Sequence, residues 1–142
     1  MKKNNKGFSL LELLIVVAII LIIATIAIPS LLRSRQAANE SAAVANLRTV
    51  NTAEVTYLSS SGGSYGEIDD LVSAGLLDST FNNTATTPKA GYQYSITASG
   101  ADYTATATPA SSNTGRFAYY STPDAVVRYS TSDATRPGQA VQ

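Results

Sequence analysis

Lys6-Gly7-Phe8-Ser9-Leu10-Leu11-Glu12-Leu13-Leu14-Ile15 opens a run that stays apolar to Ile28 and ends at Pro29. Lys2, Lys3 and Lys6 make the residues ahead of it basic, and between Leu13 and Ile28 the only polar side chain is Thr25. A single helix over residues 8–28 would be roughly 32 Å long at about 1.5 Å per residue. That length matches a bilayer hydrocarbon core of about 30 Å. The stretch therefore predicts a membrane-residing helix with one carboxylate, Glu12, close to its start.

Three readings compete for it. A secretory signal peptide needs a shorter apolar core closed by a small-x-small cleavage site, and Thr25-Ile26-Ala27 is a poor one. A plain membrane anchor explains the length but not Glu12, because a carboxylate at the centre of a bilayer costs about 2.5–3.5 kcal/mol even on lenient insertion scales. The third reading joins the basic leader, Gly7, Phe8, Glu12 and the apolar half-helix to Pro29: in these the chain resembles a type IV prepilin. The resemblance implies that a prepilin peptidase cuts between Gly7 and Phe8 and methylates the Phe8 amine. It also implies that Glu12 pairs with the Phe8 amine of a neighbouring subunit. A narrower alternative makes Glu12 only a recognition mark for the peptidase.

Composition sets further bounds. The 142 residues are 44% apolar and 14% charged with zero net charge, one small domain plus a membrane helix. Loss of Lys2, Lys3 and Lys6 with the leader leaves 7 basic against 10 acidic side chains. No clustered Lys/Arg surface of the kind that binds nucleic acid is evident. There is no cysteine, so no disulfide, although many pilins close their C-terminal region with one. With no histidine, the commonest general base and metal ligand is missing. The chain reads as a non-enzyme with no cofactor.

Along the chain, residues 1–7 form the leader, 8–29 the hydrophobic half-helix and 30–58 an amphipathic half-helix. Pro29 removes an N–H and should kink or loosen the preceding turn without ending the helix. Val44, Leu47, Val50, Val55, Tyr57 and Leu58 share one arc at helical period, with Ala42, Ala45, Thr49, Thr52, Ala53 and Thr56 behind it. Ser59–Ser64, with two glycines, breaks the helix and opens a loop over 59–90. Glu67–Ala74 reads as a short helix closed by Gly75, and residues 78–90 as polar linker. Residues 91–130 alternate as about four antiparallel strands: Tyr92-Tyr94-Ile96, Tyr103-Ala105-Ala107, a third from Phe117, and Val126–Ser130. Residues 131–142 read as a loose tail.

Smaller signals accompany these. Asp102, Asp124 and Asp133 are the acids near which a calcium ion could bind, but no dense acidic loop is present, and solvated turn aspartates explain them. Asn39-Glu40-Ser41 and Asn82-Asn83-Thr84 match glycosylation sequons. Tyr119 and Tyr120, on opposite faces of their strand, are candidates for surface contacts.

Tyr65-Gly66, Gly75-Leu76-Leu77-Asp78, Gly91-Tyr92-Gln93-Tyr94 and Thr114-Gly115-Arg116-Phe117 extend the resemblance to bacterial pilins and pseudopilins. It implies an α+β ladle fold, a long N-terminal helix packed on a small antiparallel sheet. The expected function is that of a major type IV pilus subunit, with Gly7 and Phe8 at the cleavage site and Glu12 and Pro29 in assembly. Its partners would be further copies in a helical filament, the prepilin peptidase, an inner-membrane assembly platform and, before assembly, lipid. It would move from the inner membrane to the cell surface. The alternatives are a major pseudopilin of type II secretion and, in another class, a single-span anchored periplasmic binding domain.

Overall fold

The computed structural model describes residues 7–130 and 139–141, and the chain divides between Ser34 and Arg35 into two compact units. One helix, α1 (Leu10–Ser60), contributes to both, with Pro29 inside it. Its first half is rich in Leu, Ile and Val, and none of its residues is buried. Phe8 is 80% exposed, and Leu10, Leu11, Ile26 and Leu31 exceed 70%.

In the second unit, α1 lies on a five-stranded antiparallel meander in the order β1 (Tyr92–Ser99), β2 (Asp102–Pro109), β3 (Ala118–Ser121), β4 (Arg128–Ser130) and β5 (Gln139–Ala140). β1 and β2 pair from Tyr92↔Pro109 to Ser99↔Asp102, a tight hairpin with Gly100 at φ +59° in its turn. The fold is thus α+β, a long helix with four consecutive strands. A short fifth comes from the segment expected to be a tail, where the Val141 N–H also donates to the Val127 carbonyl at 2.8 Å. The remainder of that tail lies outside the described residues.

Alternation along the strands turns Tyr92, Tyr94 and Ile96 of β1 and Tyr103, Ala105 and Ala107 of β2 inward, where they meet Ala43, Val44, Leu47, Val50 and Ala53 of α1. Two details differ from the expected helix faces. Val55 is 52% exposed, whereas Ala53, placed on the outer side, is 4% exposed. The buried arc is centred nearer Leu47 and Glu54, leaving Val55 at its margin. The hydroxyls of Thr49, Thr52 and Thr56 on the outer side donate to carbonyls four residues back.

The connecting loop holds α2 (Ile68–Ser73), with Glu67 as N-cap in a capping box with Asp70. Gly75, at φ +70°, lets Leu76 N–H return to the Leu71 carbonyl and places Leu77 in the core. The stretch read as polar linker contains a 3₁₀ turn, Ser79–Phe81, whose Phe81 is 3% exposed and meets Tyr94 edge-on. The third strand starts at Ala118 rather than Phe117 and the fourth at Arg128 rather than Val126.

Candidate functional site

The N-terminal constellation is built by the helix start. Ser9 precedes α1, and Ser9-Leu10-Leu11-Glu12 has the spacing of a capping box. Glu12 Oε2 accepts the Ser9 N–H at 2.9 Å, and Ser9 Oγ accepts the Leu11 N–H at 3.3 Å. Two helix donors that would otherwise lack partners are satisfied, and the carboxylate is near the positive end of the helix dipole. Ser9 is a participant that the sequence reading passed over, although the S-x-x-E spacing was there to find it. Gly7 and Phe8 lie outside the helix, and no atom stands within 4 Å of where a Gly7 side chain would begin. The peptide bond between them is open to approach. Lys2, Lys3 and Lys6 lie outside the described residues.

Beyond Glu12 the helix offers apolar surface to Ile28. Thr25 hides its polarity by donating its hydroxyl to the Leu21 carbonyl at 2.8 Å. Pro29 has no N–H to give the Thr25 carbonyl, so the turn between them lacks one rung, yet α1 continues through it. Gly7, Phe8 and Glu12 therefore fall within one helical turn or just ahead of it, while Pro29 stands at the far end of the apolar run. The arrangement holds no nucleophile–base pair. It offers an exposed apolar helix with one carboxylate near its start.

The second unit holds α1 by polar contacts that the apolar periodicity did not reveal. Gln36 donates to the Ser112 carbonyl and Asn39 to the Thr114 carbonyl. Glu40, 7% exposed, accepts from the Arg116 backbone N–H, Nε and Nη2 at 2.9, 3.0 and 2.8 Å. Hydrogen bonds from the Arg116 side chain hold the Glu40 carboxyl below the usual range, against the opposing effect of burial. Asn46 reaches the Tyr94 hydroxyl, and Asn51 accepts from that of Tyr103. Three of the sequon residues are thus structural. Asn39 and Glu40 strap the loop before β3, and the Thr84 hydroxyl bonds both the N–H and the carbonyl of Tyr94.

The other candidates are also accounted for. Asp124 accepts from Thr122, the Val126 N–H and Arg128, whose hydrogen bonds bring its carboxyl down to about 2. Asp102 accepts its neighbour's N–H, and Asp133 lies outside the described residues. Tyr119 and Tyr120 are 6% and 7% exposed, so neither presents the surface contact expected of it. Both side chains are packed because the sheet is covered on the two sides of β3.

Comparison with known proteins bears on this N-terminal constellation. The family described as the prokaryotic N-terminal methylation motif matches residues 2–28. The type IV major pilin protein PilA of Myxococcus xanthus is 46% identical over 56 residues, 39% of this chain and 26% of that protein. The type IV wide pilus major component PilA4 of Thermus thermophilus is 38% identical over 82 residues, 58% of this chain and 63% of that protein. The chain thus spans about a quarter and somewhat under two thirds of these relatives. With the methylation motif at its start and a long helix on a small antiparallel sheet behind it, the chain is similar to type IV major pilins.

Proposed function

We propose that the chain is the precursor of a major type IV pilus subunit, a structural protein and not an enzyme. Prepilin peptidase cuts it between Gly7 and Phe8 and methylates the new Phe8 amine. The subunit waits in the inner membrane and is drawn by an assembly platform into a helical surface filament with the Phe8–Ile28 helices at its centre. The observation that carries this reading is the wholly uncovered apolar half of α1 with a single carboxylate one turn from Phe8. Such a surface needs lipid or other helices against it. The two relatives named as major pilins support it further.

Glu12 supplies register. In the single subunit it takes one amide N–H, a weak partner for a full charge. In a stack, the Phe8 amine of an incoming subunit pairs with it, and a slipped arrangement leaves an ion unpaired in apolar surroundings at a cost of several kcal/mol. Pro29 supplies extensibility, since the turn missing a rung at Thr25 is the one that yields first when neighbours satisfy its carbonyl. The test is Glu12→Ala in cells, read by intact mass of the membrane fraction and a count of surface filaments. Trimmed protein retained in the membrane with few filaments is the expected result. Accumulated untrimmed precursor would make Glu12 a peptidase mark instead, and normal filament yield would sink both roles.

A further inference from the structure

Glu54 is the one carboxylate of α1 that is wholly buried, at 0% exposure, and among the described residues it has no cation beside it. Its Oε2 accepts the Gly66 N–H at 3.1 Å, and Oε1 has no hydrogen-bond partner among the described residues. Gly66 is itself buried, and a side chain there would start 2.9 Å from the Tyr57 ring and 3.1 Å from Asp70 Cβ. The loop is thus closed onto the helix at a point where nothing larger than glycine fits, with one carboxyl as the polar contact.

We propose that Glu54 is a pH-sensitive latch on the loop entering α2: its neutral form keeps Gly66 docked on α1, and its ionised form loosens the segment 61–67. The groups facing Glu54 come from each packed element. Asp70 approaches from α2 and Tyr103 from β2, while Tyr65, from the loop itself, stacks on Tyr103 at 4.6 Å. Tyr57 of α1 closes the side against Gly66. All are acidic or neutral. An anion here would have a dry, unpaired oxygen, whereas a neutral carboxyl leaves only an unmade weak bond. Burial pushes the Glu54 carboxyl above its ordinary value, against the opposing effect of the Gly66 N–H and with Asp70 adding repulsion.

The direction follows from that. A carboxyl that binds its proton more tightly in the docked state favours docking fully below its ordinary value of about 4.5, and this contribution is lost as pH rises through the raised value. The loosened state hydrates Glu54. Another hold on the loop, the Tyr65 N–H to the Gly100 carbonyl at 2.9 Å, involves no titratable group.

The experiment is hydrogen exchange on the full chain in detergent micelles between pH 4 and 8, corrected for intrinsic rates. The peptide over residues 61–71 is compared with one over the β1–β2 hairpin. In the wild type, protection of 61–71 should fall with rising pH, approaching about tenfold per pH unit once only the loosened form ionises. The hairpin should stay level, and Glu54→Gln should abolish the dependence. Asp70→Asn, which keeps a side-chain acceptor for the Glu67 N–H, removes the neighbouring charge and should bring the levelling-off to lower pH with a smaller total fall, a readout that stands even if Glu54→Gln misfolds. A flat wild-type profile, the same slope in Glu54→Gln, or a total fall in Asp70→Asn as large as that of the wild type would each overturn the latch.

Discussion

Gly115 sits in the loop that straps the second unit to α1, and replacing it with alanine should be among the most damaging one-carbon changes in the chain. The added Cβ would stand 2.1 Å from Tyr92 Oη, 2.6 Å from Cζ and 2.8 Å from Cε2. Tyr92 cannot step aside cheaply: it is 0% exposed, its hydroxyl donates to the Phe117 carbonyl at 2.9 Å, and its ring lies 6.0 Å from that of Tyr119. Overpacking of this kind costs about 1–3 kcal/mol. Breaking the Tyr92 hydrogen bond and leaving a buried carbonyl unpaired adds about 1–3 kcal/mol. A loss near 3 kcal/mol, at a urea dependence of about 1.5 kcal/mol per molar, lowers the unfolding midpoint by roughly 2 M. All eight tyrosines lie between residues 57 and 129, so near-ultraviolet circular dichroism in detergent follows the second unit and not the apolar half-helix. Tyr92→Phe alone should cost about 1 kcal/mol. Combined with Gly115→Ala it should recover part of the loss, because the closest clashing atom is gone. A Gly115→Ala midpoint equal to that of the wild type, or a double variant showing the simple sum of the single losses, would refute the packing argument.

Gly7→Leu should leave the precursor uncut, with Lys2, Lys3 and Lys6 retained, as read by intact mass of the membrane fraction; normal trimming in that variant would contradict the proposed processing. Glu40→Gln should cost about 1–2 kcal/mol at neutral pH, discounted because Arg116 is more than half exposed. Since pairing lowers the Glu40 value, that stabilisation is present above the unfolded carboxyl's titration and lost as pH falls through the folded one, so urea midpoints of wild type and Glu40→Gln should converge in acid. Ala90 and Gly91 have φ of +51° and +75° between the bridged pair Lys89 and Tyr92, and Ala90→Asn, giving the Asn-Gly such turns favour, should stabilise by about 1 kcal/mol and raise the melting temperature by a few degrees. A lowered melting temperature would show that Ala90 is held there by packing instead.

Elements governed by local rules were legible in the sequence. The apolar run, the period-two strands and the short helix closed by Gly75 each depend on neighbours a few residues apart. The polar ladder of α1 was not, because its partners are distant: Glu40 meets Arg116, 76 positions on, and Asn51 meets Tyr103, 52 positions on. A periodicity that counts only apolar residues treats such side chains as solvent-facing. Their spacing did carry a signal, since residues 40, 43, 47, 50, 51 and 54 fall on one helical arc. Phe81 was missed for a related reason. One aromatic in a polar stretch has no period, and only the fold brings it against Tyr94. At the N-terminus, Gly7, Phe8, Glu12 and Pro29 stood out because each breaks the pattern around it, while Ser9, an ordinary residue before a helix, did not.

Magnitudes explain why Glu12 gains from a nearby cation. Its hydrogen bond to the Ser9 N–H is a capping contact, and such contacts stabilise a helix by about 0.5–2 kcal/mol. Carrying a carboxylate into the apolar layer costs about 2.5–3.5 kcal/mol or more at its centre, less near the boundary. At best the two offset one another, and any movement of the helix start deeper into an apolar environment tips the balance against the charge. A subunit optimised to stay alone in lipid would do better with glutamine here, which serves the N3 position of a capping box without a charge. Glutamate at this position gains only when a cation arrives, and the nearest cation that the proposed processing creates is the Phe8 amine. That amine can come from the same subunit, one turn away, or in the proposed stack from a neighbour, and only the second makes the pairing a source of register between copies.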